Sequence, residues 1–297
     1  MALPDIDRAG WARQIGRAAV TSLYDELALA PKPGLVCPGD DGSHRDMDAR
    51  LLWRSLFSLR HFFLAAARAG AAGSPFEVLR DLGVAAEARM LVATRGVNTH
   101  RGAIFSLGLL AAAGGDIVAQ GLAPTPFALR DSIRRRWSAA IRAEQVQVHL
   151  KATPEFAGPH DIRATSHGVD VARRYGAGGA RGEAALGFPS VFALGLPALR
   201  TALRRGADRR GALIHALYVL ISRVEDSNLL YRGGHAGLRF AQAQAQAFLA
   251  GGSVFATGWE QRAAAIRDAM VAQRLSPGGS ADLLAATWFA HNLTATA

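Results

Sequence analysis

An all-α fold is predicted by three observations on this 297-residue sequence. Apolar residues recur at helical spacing almost throughout, helix-start signals punctuate the chain, and no convincing run of alternating β-branched residues occurs. Ile15, Ala19, Val20, Leu23 and Leu27 mark the first helix face, and Leu52, Leu56, Leu59 and Phe63 the second. Ser74-Pro75-Phe76-Glu77 reads as a capping box with proline at the first helical position, opening a helix towards Met90. Further helices are expected at 100–114, 126–149, 184–204, 209–224, 235–250, 259–273 and 280–294, with Thr125-Pro126 and Asp208 as start signals. The least helical stretch, 151–182, holds Pro154, Gly158, Pro159 and Gly176-Ala177-Gly178-Gly179. It reads either as a linker or as a loop over a site, because glycine lets backbone approach a ligand closely. With no repeat and no charge-rich hinge, a single domain spanning 1–297 is favoured over two.

Composition narrows the function. Half of the residues are hydrophobic and a fifth are charged, which suits a sizeable core and excludes global disorder. Basic residues outnumber acidic ones, 34 to 24, giving a net charge of +10. Lys32 and Lys151 are the only lysines, so the surplus is arginine, which favours planar phosphate or carboxylate recognition. The arginines are dispersed, with no basic stripe interleaved with aromatics, so nucleic acid is not the expected partner. One cysteine, Cys37, excludes an internal disulfide framework and a cysteine-based zinc cluster. The start of the sequence lacks signal-peptide character. The longest uncharged apolar stretches, between Arg101 and Asp116 and between Glu183 and Arg200, fall short of a bilayer span. A cytoplasmic protein away from the membrane is the expectation.

Polar residues gather between the apolar helices. Pro31-Lys32-Pro33-Gly34 is followed by Asp40-Asp41-Gly42-Ser43-His44-Arg45-Asp46-Met47-Asp48, where Asp46 and Asp48 would enter the next helix's first turn. Carboxylates there suit the helix dipole, and they equally suit a magnesium ion carrying nucleotide phosphates. His44 is an acid, a base or a cap. In Thr94-Arg95-Gly96-Val97-Asn98-Thr99-His100-Arg101-Gly102-Ala103, Asn98 and Thr99 can cap a helix whose free N–H groups form an anion site. Arg232-Gly233-Gly234 and Ser276-Pro277-Gly278-Gly279-Ser280-Ala281-Asp282 repeat that design. With Arg181-Gly182-Glu183, they suggest a polyphosphate. Glu87, among alanines, suits an exposed face or a site. Asp226 and Asn228 follow an apolar helix and either end it or present oxygens to a metal.

Other signatures fail. Neither lysine follows a glycine as a Walker loop requires, and no strand precedes the glycines at 176–182. His160-Asp161 lacks companion ligands, and a lone cysteine such as Cys37 is more often inert than nucleophilic.

Seven motifs then fall in one order: Pro31-Lys32-Pro33-Gly34-Leu35-Val36, Gly42-Ser43-His44-Arg45-Asp46-Met47, Gly96 to Phe105, Gly179-Ala180-Arg181-Gly182-Glu183, Asp226-Ser227-Asn228, Arg232-Gly233-Gly234, and Ser276 to Ala285. From about residue 24 to residue 290 the chain resembles the triphosphoribosyl-dephospho-CoA synthase family. The Gly42-Ser43-His44 form leans to the branch associated with malonate decarboxylase. Three positions depart from the family's usual residues: Cys37 in place of aspartate, Arg101 in place of lysine and Ser227 in place of threonine. The first argues against a catalytic role for position 37.

The resemblance implies a glycosyl transfer in the cytoplasm. ATP would donate its triphosphoribosyl unit to a ribose hydroxyl of 3′-dephospho-CoA and adenine would leave, through an oxocarbenium-like transition state. Mg²⁺ is the implied cofactor, and an acyl carrier protein or its transferase the downstream partner. On this reading Asp46, Glu87 and Asp226 supply metal ligands or the general base, with Glu183 the reserve base. His44 and His100 donate protons or anchor substrate. Arg101, Arg181, Arg232 and Lys32 hold phosphates, as do Ser276, Gly278 and Gly279 at a helix start. Two other classes fit the same residues: an all-α Mg²⁺-dependent nucleotide pyrophosphohydrolase, and a non-catalytic adaptor for an acyl carrier protein.

Overall fold

A computed structural model of the chain describes residues 10–151, 171, 174–176 and 178–295, with no side-chain description at 148–151. Every regular element among them is helical, and the one extended pairing is an isolated bridge between Cys37 and Asp40. In order they are α1 (Gly10–Ala28), α2 (Ala49–Ser58), α3 (Arg60–Ala71), α4 (Phe76–Thr94), α5 (Arg101–Ala119), α6 (Pro126–Arg136) and α7 (Ser138–Lys151). Then come α8 (Gly179–Ala185), a π-helical turn Ser190–Gly195 leading into α9 (Leu196–Arg204), α10 (Arg209–Arg223) and α11 (Ser227–Ala250). A 3₁₀ turn at Ser253–Phe255, α12 (Trp259–Ala272) and α13 (Gly278–Thr294) complete the order.

The axis of the molecule is α5. Its residues from Ser106 to Ile117 are buried without a break, so it is apolar on all sides, as a helix enclosed by others must be. It packs on α1, α3, α4, α6 and α13. At 19 residues it is long and apolar enough to cross a membrane, contrary to the expectation from its uncharged stretch alone. The difference lies in Asp116, which sits inside the helix instead of ending it. The buried carboxylate accepts a 2.8 Å bond from the Ser132 hydroxyl and has the Arg136 Nε at 3.8 Å. One contiguous set of buried apolar side chains runs from Ala12 to Ala290 around this helix.

Glycine makes the α3–α5 contact. A Cβ at Gly70 would stand 1.9 Å from the Ala112 carbonyl oxygen, and one at Gly115 would stand 2.0 Å from that of Ala67. The two backbones therefore touch through reciprocal glycines, and neither obstacle is a side chain that can swing away. Gly115→Ala should lower the denaturant midpoint with an unchanged m-value, a loss of about 2 kcal/mol or more. An unchanged midpoint would mean that the helices separate without penalty.

Several boundaries differ from the sequence pattern. Ser74 makes no side-chain cap, because Pro75 is the N-cap of α4. The Ser74 backbone instead ties into the core, its N–H to Ala69 and its carbonyl accepting from the Trp137 indole at 3.0 Å. The helix expected at 126–149 breaks at Trp137, whose buried ring takes a non-helical backbone (φ −129°, ψ −13°). The stretch 184–204 begins earlier, at Gly179, and is interrupted where Gly187 and Phe188 take positive φ. The π turn before Pro197 accommodates a ring that a regular helix interior would exclude. Thr125 and Asp208 cap as their positions predict, accepting from Ala128 N at 3.1 Å and Gly211 N at 2.7 Å. Most of the 151–182 stretch lies outside the described residues, His160 and Asp161 included.

Candidate active site

The motif loops meet at one end of this bundle, where α5, α11 and α13 begin. Asp226 is the hub. Its Oδ1 accepts from the backbone N–H groups of Asn228 (2.9 Å) and Leu229 (3.3 Å), so it caps α11. Its Oδ2 accepts from the N–H (2.7 Å) and hydroxyl (2.9 Å) of Ser280, in the first turn of α13. One buried carboxylate thus joins the starts of two helices. Gly278 and Gly279 let them close: a Cβ at Gly278 would lie 2.5 Å from Asn228 Nδ2, and one at Gly279 3.1 Å from Asp226 Oδ1. Burial raises the Asp226 pKa, opposed by the Ser280, Asn228 and Leu229 bonds.

Asp282, one turn into α13, repeats the arrangement on α5. It accepts a hydrogen bond from the Ala103 N–H and lies so close to Gly102 that a Cβ there would be 2.0 Å from its Oδ2. Desolvation pushes its pKa well up, and the neighbouring carboxylates of Glu26 and Asp226 push it further. Glu26 in turn holds the ammonium of buried Lys32 at 2.7 Å, and Lys32 also donates to the Glu26 carbonyl at 2.9 Å. Two of the helix starts expected to bind phosphate, α13 and α5, therefore have an N–H taken by the protein's own carboxylates, Asp226 on Ser280 and Asp282 on Ala103. Arg232-Gly233-Gly234 opens no helix, because α11 begins at Ser227. Glu26 and Asp226 are the carboxylates that act on Asp282, and Lys32 neutralises the first of them.

Beside it, the 42–46 loop is strapped to the 274–276 segment. Ser43 Oγ donates to the Leu275 carbonyl at 2.6 Å, and Arg232 Nη1 donates to the carbonyls of Ser43 and Arg274, each at 3.1 Å. Arg232 Nη2 donates to His44 Nδ1 at 3.1 Å, so that nitrogen accepts and the ring proton sits on Nε2, 2.9 Å from Ser276 Oγ. Burial, then the charge of Arg232, lowers the His44 pKa, which keeps the imidazole neutral. Asp46 lies 3.6 Å from His44 and is largely exposed; Asp48, not Asp46, caps α2 through Leu51 N at 2.7 Å. The strap leaves Arg232 its Nε–H and one Nη2–H for an anion.

A family model described as ATP:dephospho-CoA triphosphoribosyl transferase matches residues 12–297. The chain belongs to this transferase family. It is 37% identical over 284 residues to a probable 2-(5''-triphosphoribosyl)-3'-dephosphocoenzyme-A synthase of Acinetobacter calcoaceticus, covering 96% of this chain and 92% of that one. It is 39% identical over 287 residues to a probable synthase of the same name from Vibrio cholerae serotype O1 (strain M66-2), covering 95% and 88%. It is 40% identical over 286 residues to the 2-(5''-triphosphoribosyl)-3'-dephosphocoenzyme-A synthase of Pectobacterium atrosepticum, covering 94% and 88%. No solved structure matches.

Within this family member, the remaining candidate residues divide. Glu87 and Arg101, expected to serve metal and phosphate separately, pair with each other: Arg101 Nε donates to Glu87 Oε1 at 2.7 Å and Nη2 reaches the same oxygen. Asp46, Glu87 and Asp226 thus do not come together, and among the described residues no group of three His, Cys, Asp or Glu side chains forms that could hold a metal ion. Glu183 is engaged structurally. It accepts from the Ser190 N–H (3.1 Å) and hydroxyl (2.6 Å), holding the π turn, which weakens its case as a base. Arg181 pairs with no carboxylate among the described residues; its guanidinium lies 5.9 Å from the ring of Phe105, one turn beyond Arg101. Tyr175, from the 151–182 stretch, packs edge-on to His235 at 5.0 Å with its hydroxyl near Gly234, the residue whose φ of 57° breaks α11. Cys37 is buried, its thiol pKa raised by desolvation and its backbone paired with Asp40.

Three residues that sequence reasoning did not assign stand out. Asp282 was visible only as part of a motif, Glu26 as an ordinary helix residue, and Ser55 not at all. A carboxylate closing the glycine-rich run from Ser276 was the available signal for the first. The others depend on contacts across the fold.

Proposed function

We propose that the protein transfers the triphosphoribosyl group of ATP to a ribose hydroxyl of 3′-dephospho-CoA with release of adenine. The observation that carries this reading is the gathering of motifs up to 232 residues apart around Asp226 and Asp282, in a chain matched by the family model from residue 12 to residue 297. The triphosphate is gripped rather than cleaved, which explains arginines without a phosphoryl-transfer loop. Arg181, Arg101 and the unspent N–H groups of Arg232 are the proposed grips, with Lys32 neutralising Glu26 behind them. His44, neutral with its proton on Nε2 and next to Ser276 Oγ, is the proposed hydrogen-bond donor to departing adenine.

Mg²⁺ fits this donor set in one form. Asp226 spends its four lone-pair sites on Asn228, Leu229 and Ser280, so Asp282 is the carboxylate offered, and Mg²⁺ commonly takes one or two carboxylates while keeping waters and substrate phosphates. Bound there, it would neutralise the triphosphate. Asp46 and Glu87 are set aside as its ligands in this reading. The product's destination in malonate decarboxylase rests on the Gly42-Ser43-His44 form, and an acyl carrier protein or its transferase is then the downstream partner. A cytoplasmic location belongs to the same reading.

Incubation with ATP, Mg²⁺ and dephospho-CoA should release free adenine in step with loss of ATP. AMP, ADP or pyrophosphate in its place would establish a pyrophosphohydrolase. Tight binding of a carrier protein without turnover would establish an adaptor.

A further inference from the structure

Ser55, in α2, is wholly buried and sits between two residues of the loop before α5. Its Oγ is 2.7 Å from His100 Nδ1 and 2.6 Å from Thr99 Oγ1. On the other side of the ring, Nε2 makes no hydrogen bond among the described residues, and His100 keeps 6% of its surface exposed. The backbone N–H of His100 meets Met90 Sδ at 3.3 Å, and the next residues, Arg101 and Gly102, adjoin Glu87 and Asp282. The ring is thus held by α2 and its backbone by α4, next to the residues that adjoin Glu87 and Asp282.

We propose that Ser55 is a positioning residue that holds His100 as the Nδ1–H tautomer, leaving the Nε2 lone pair to act as general base on the attacking ribose hydroxyl. This rests on the transferase reading above. Ser55 accepts the Nδ1–H and passes its own hydroxyl proton towards Thr99 Oγ1, a chain that satisfies each atom once. The alternative chain, Thr99 to Ser55 to Nδ1, would put the proton on Nε2. Both chains use the same contacts; the first leaves an acceptor on Nε2, as a general base requires, and the tautomer measurement below separates them. Desolvation and Lys32 together lower the His100 pKa to about 4, which keeps the ring neutral at working pH.

The step balances. The hydroxyl proton of the acceptor ribose passes to Nε2 as its oxygen bonds the anomeric carbon. The C–N bond to adenine breaks, its electron pair leaves with the base under a hydrogen bond from the His44 side, and adenine takes its proton from solvent, which balances the one His100 gives back. His100 returns its proton to solvent after release.

Two readouts test this on the full-length enzyme. With ATP, Mg²⁺ and dephospho-CoA, Ser55→Ala should lower kcat on the order of 10- to 100-fold with both KM values nearly unchanged, and Thr99→Val should do so more mildly. Long-range ¹H–¹⁵N spectra of histidine-labelled protein, with the His100 signals assigned through His100→Asn, should show protonated Nδ1 in wild type and a mixture of tautomers in Ser55→Ala. If Ser55→Ala fails to fold, Thr99→Val carries both measurements. An Nε2–H tautomer in wild type, or an unchanged kcat in both variants, overturns the proposal. Absence of adenine release from wild type, with the tautomers as expected, would sink the transferase reading and leave Ser55 as the clamp.

Discussion

Asp282→Asn should lower kcat/KM by about 100-fold or more while leaving the protein as stable as wild type or more so. The two halves have one cause. The Asp282 carboxylate is desolvated beside Glu26 and Asp226, so its charged form is disfavoured in the folded protein. Its unfolded pKa is near 3.9 and its folded pKa is raised. Between those values the folded state binds more protons, so stability falls as pH rises until the folded group has ionised. Asparagine removes the charge and the penalty, and its oxygen still accepts from Ala103 N–H. The variant should therefore show a flatter stability profile above about pH 4 in thermal melts taken without metal. Mg²⁺ with ATP should raise the wild-type melting temperature and raise that of the variant less. Near-normal turnover in Asp282→Asn would show that its negative charge plays no part in holding the nucleotide.

The all-α architecture was legible because amphipathic spacing and start signals are local, and Thr125 and Asp208 cap where their positions predict. Breaks inside helices were not. Trp137 leaves the helical backbone with its ring buried in the core, and Gly234 breaks α11 where Tyr175, from a distant segment, lies against it. The same division runs through the site. Motif order and glycine-rich starts singled out residues that the fold brings to one end of the bundle, Lys32, His44, His100, Asp226, Arg232 and Ser276 among them. What sequence could not decide was who satisfies whom. A helix start with free N–H groups looks like an anion site until Asp226 or Asp282 is known to reach it from another helix. Glu87 looks like a ligand until Arg101 is seen to hold it. Pairings of this kind depend on contacts up to 54 residues apart for Asp226 and Ser280, and 232 for His44 and Ser276.

Asp226 should be the least replaceable residue in the chain. In Asp226→Asn the side-chain oxygen would keep an acceptor towards the α11 N–H groups, but the amide NH₂ would then face the Ser280 N–H and hydroxyl. Two donors would meet in a buried space, or, with the amide flipped, the α11 cap would be lost. Either arrangement leaves a buried N–H unsatisfied, and the combined loss of charge-assisted bonds amounts to about 3 kcal/mol. The start of α13 would then move away from α11, carrying Ser276 from His44 and Asp282 from Gly102, so catalysis fails by geometry as well as by charge. Asp226→Asn should unfold several degrees below wild type and show no measurable adenine release. Ser280→Ala separates the two effects. It removes only the hydroxyl bond and keeps the backbone one, so stability should drop by about 1 kcal/mol with turnover largely retained. If Ser280→Ala abolished turnover while Asp226→Asn spared it, the carboxylate would not be the joint that this end of the bundle is built on.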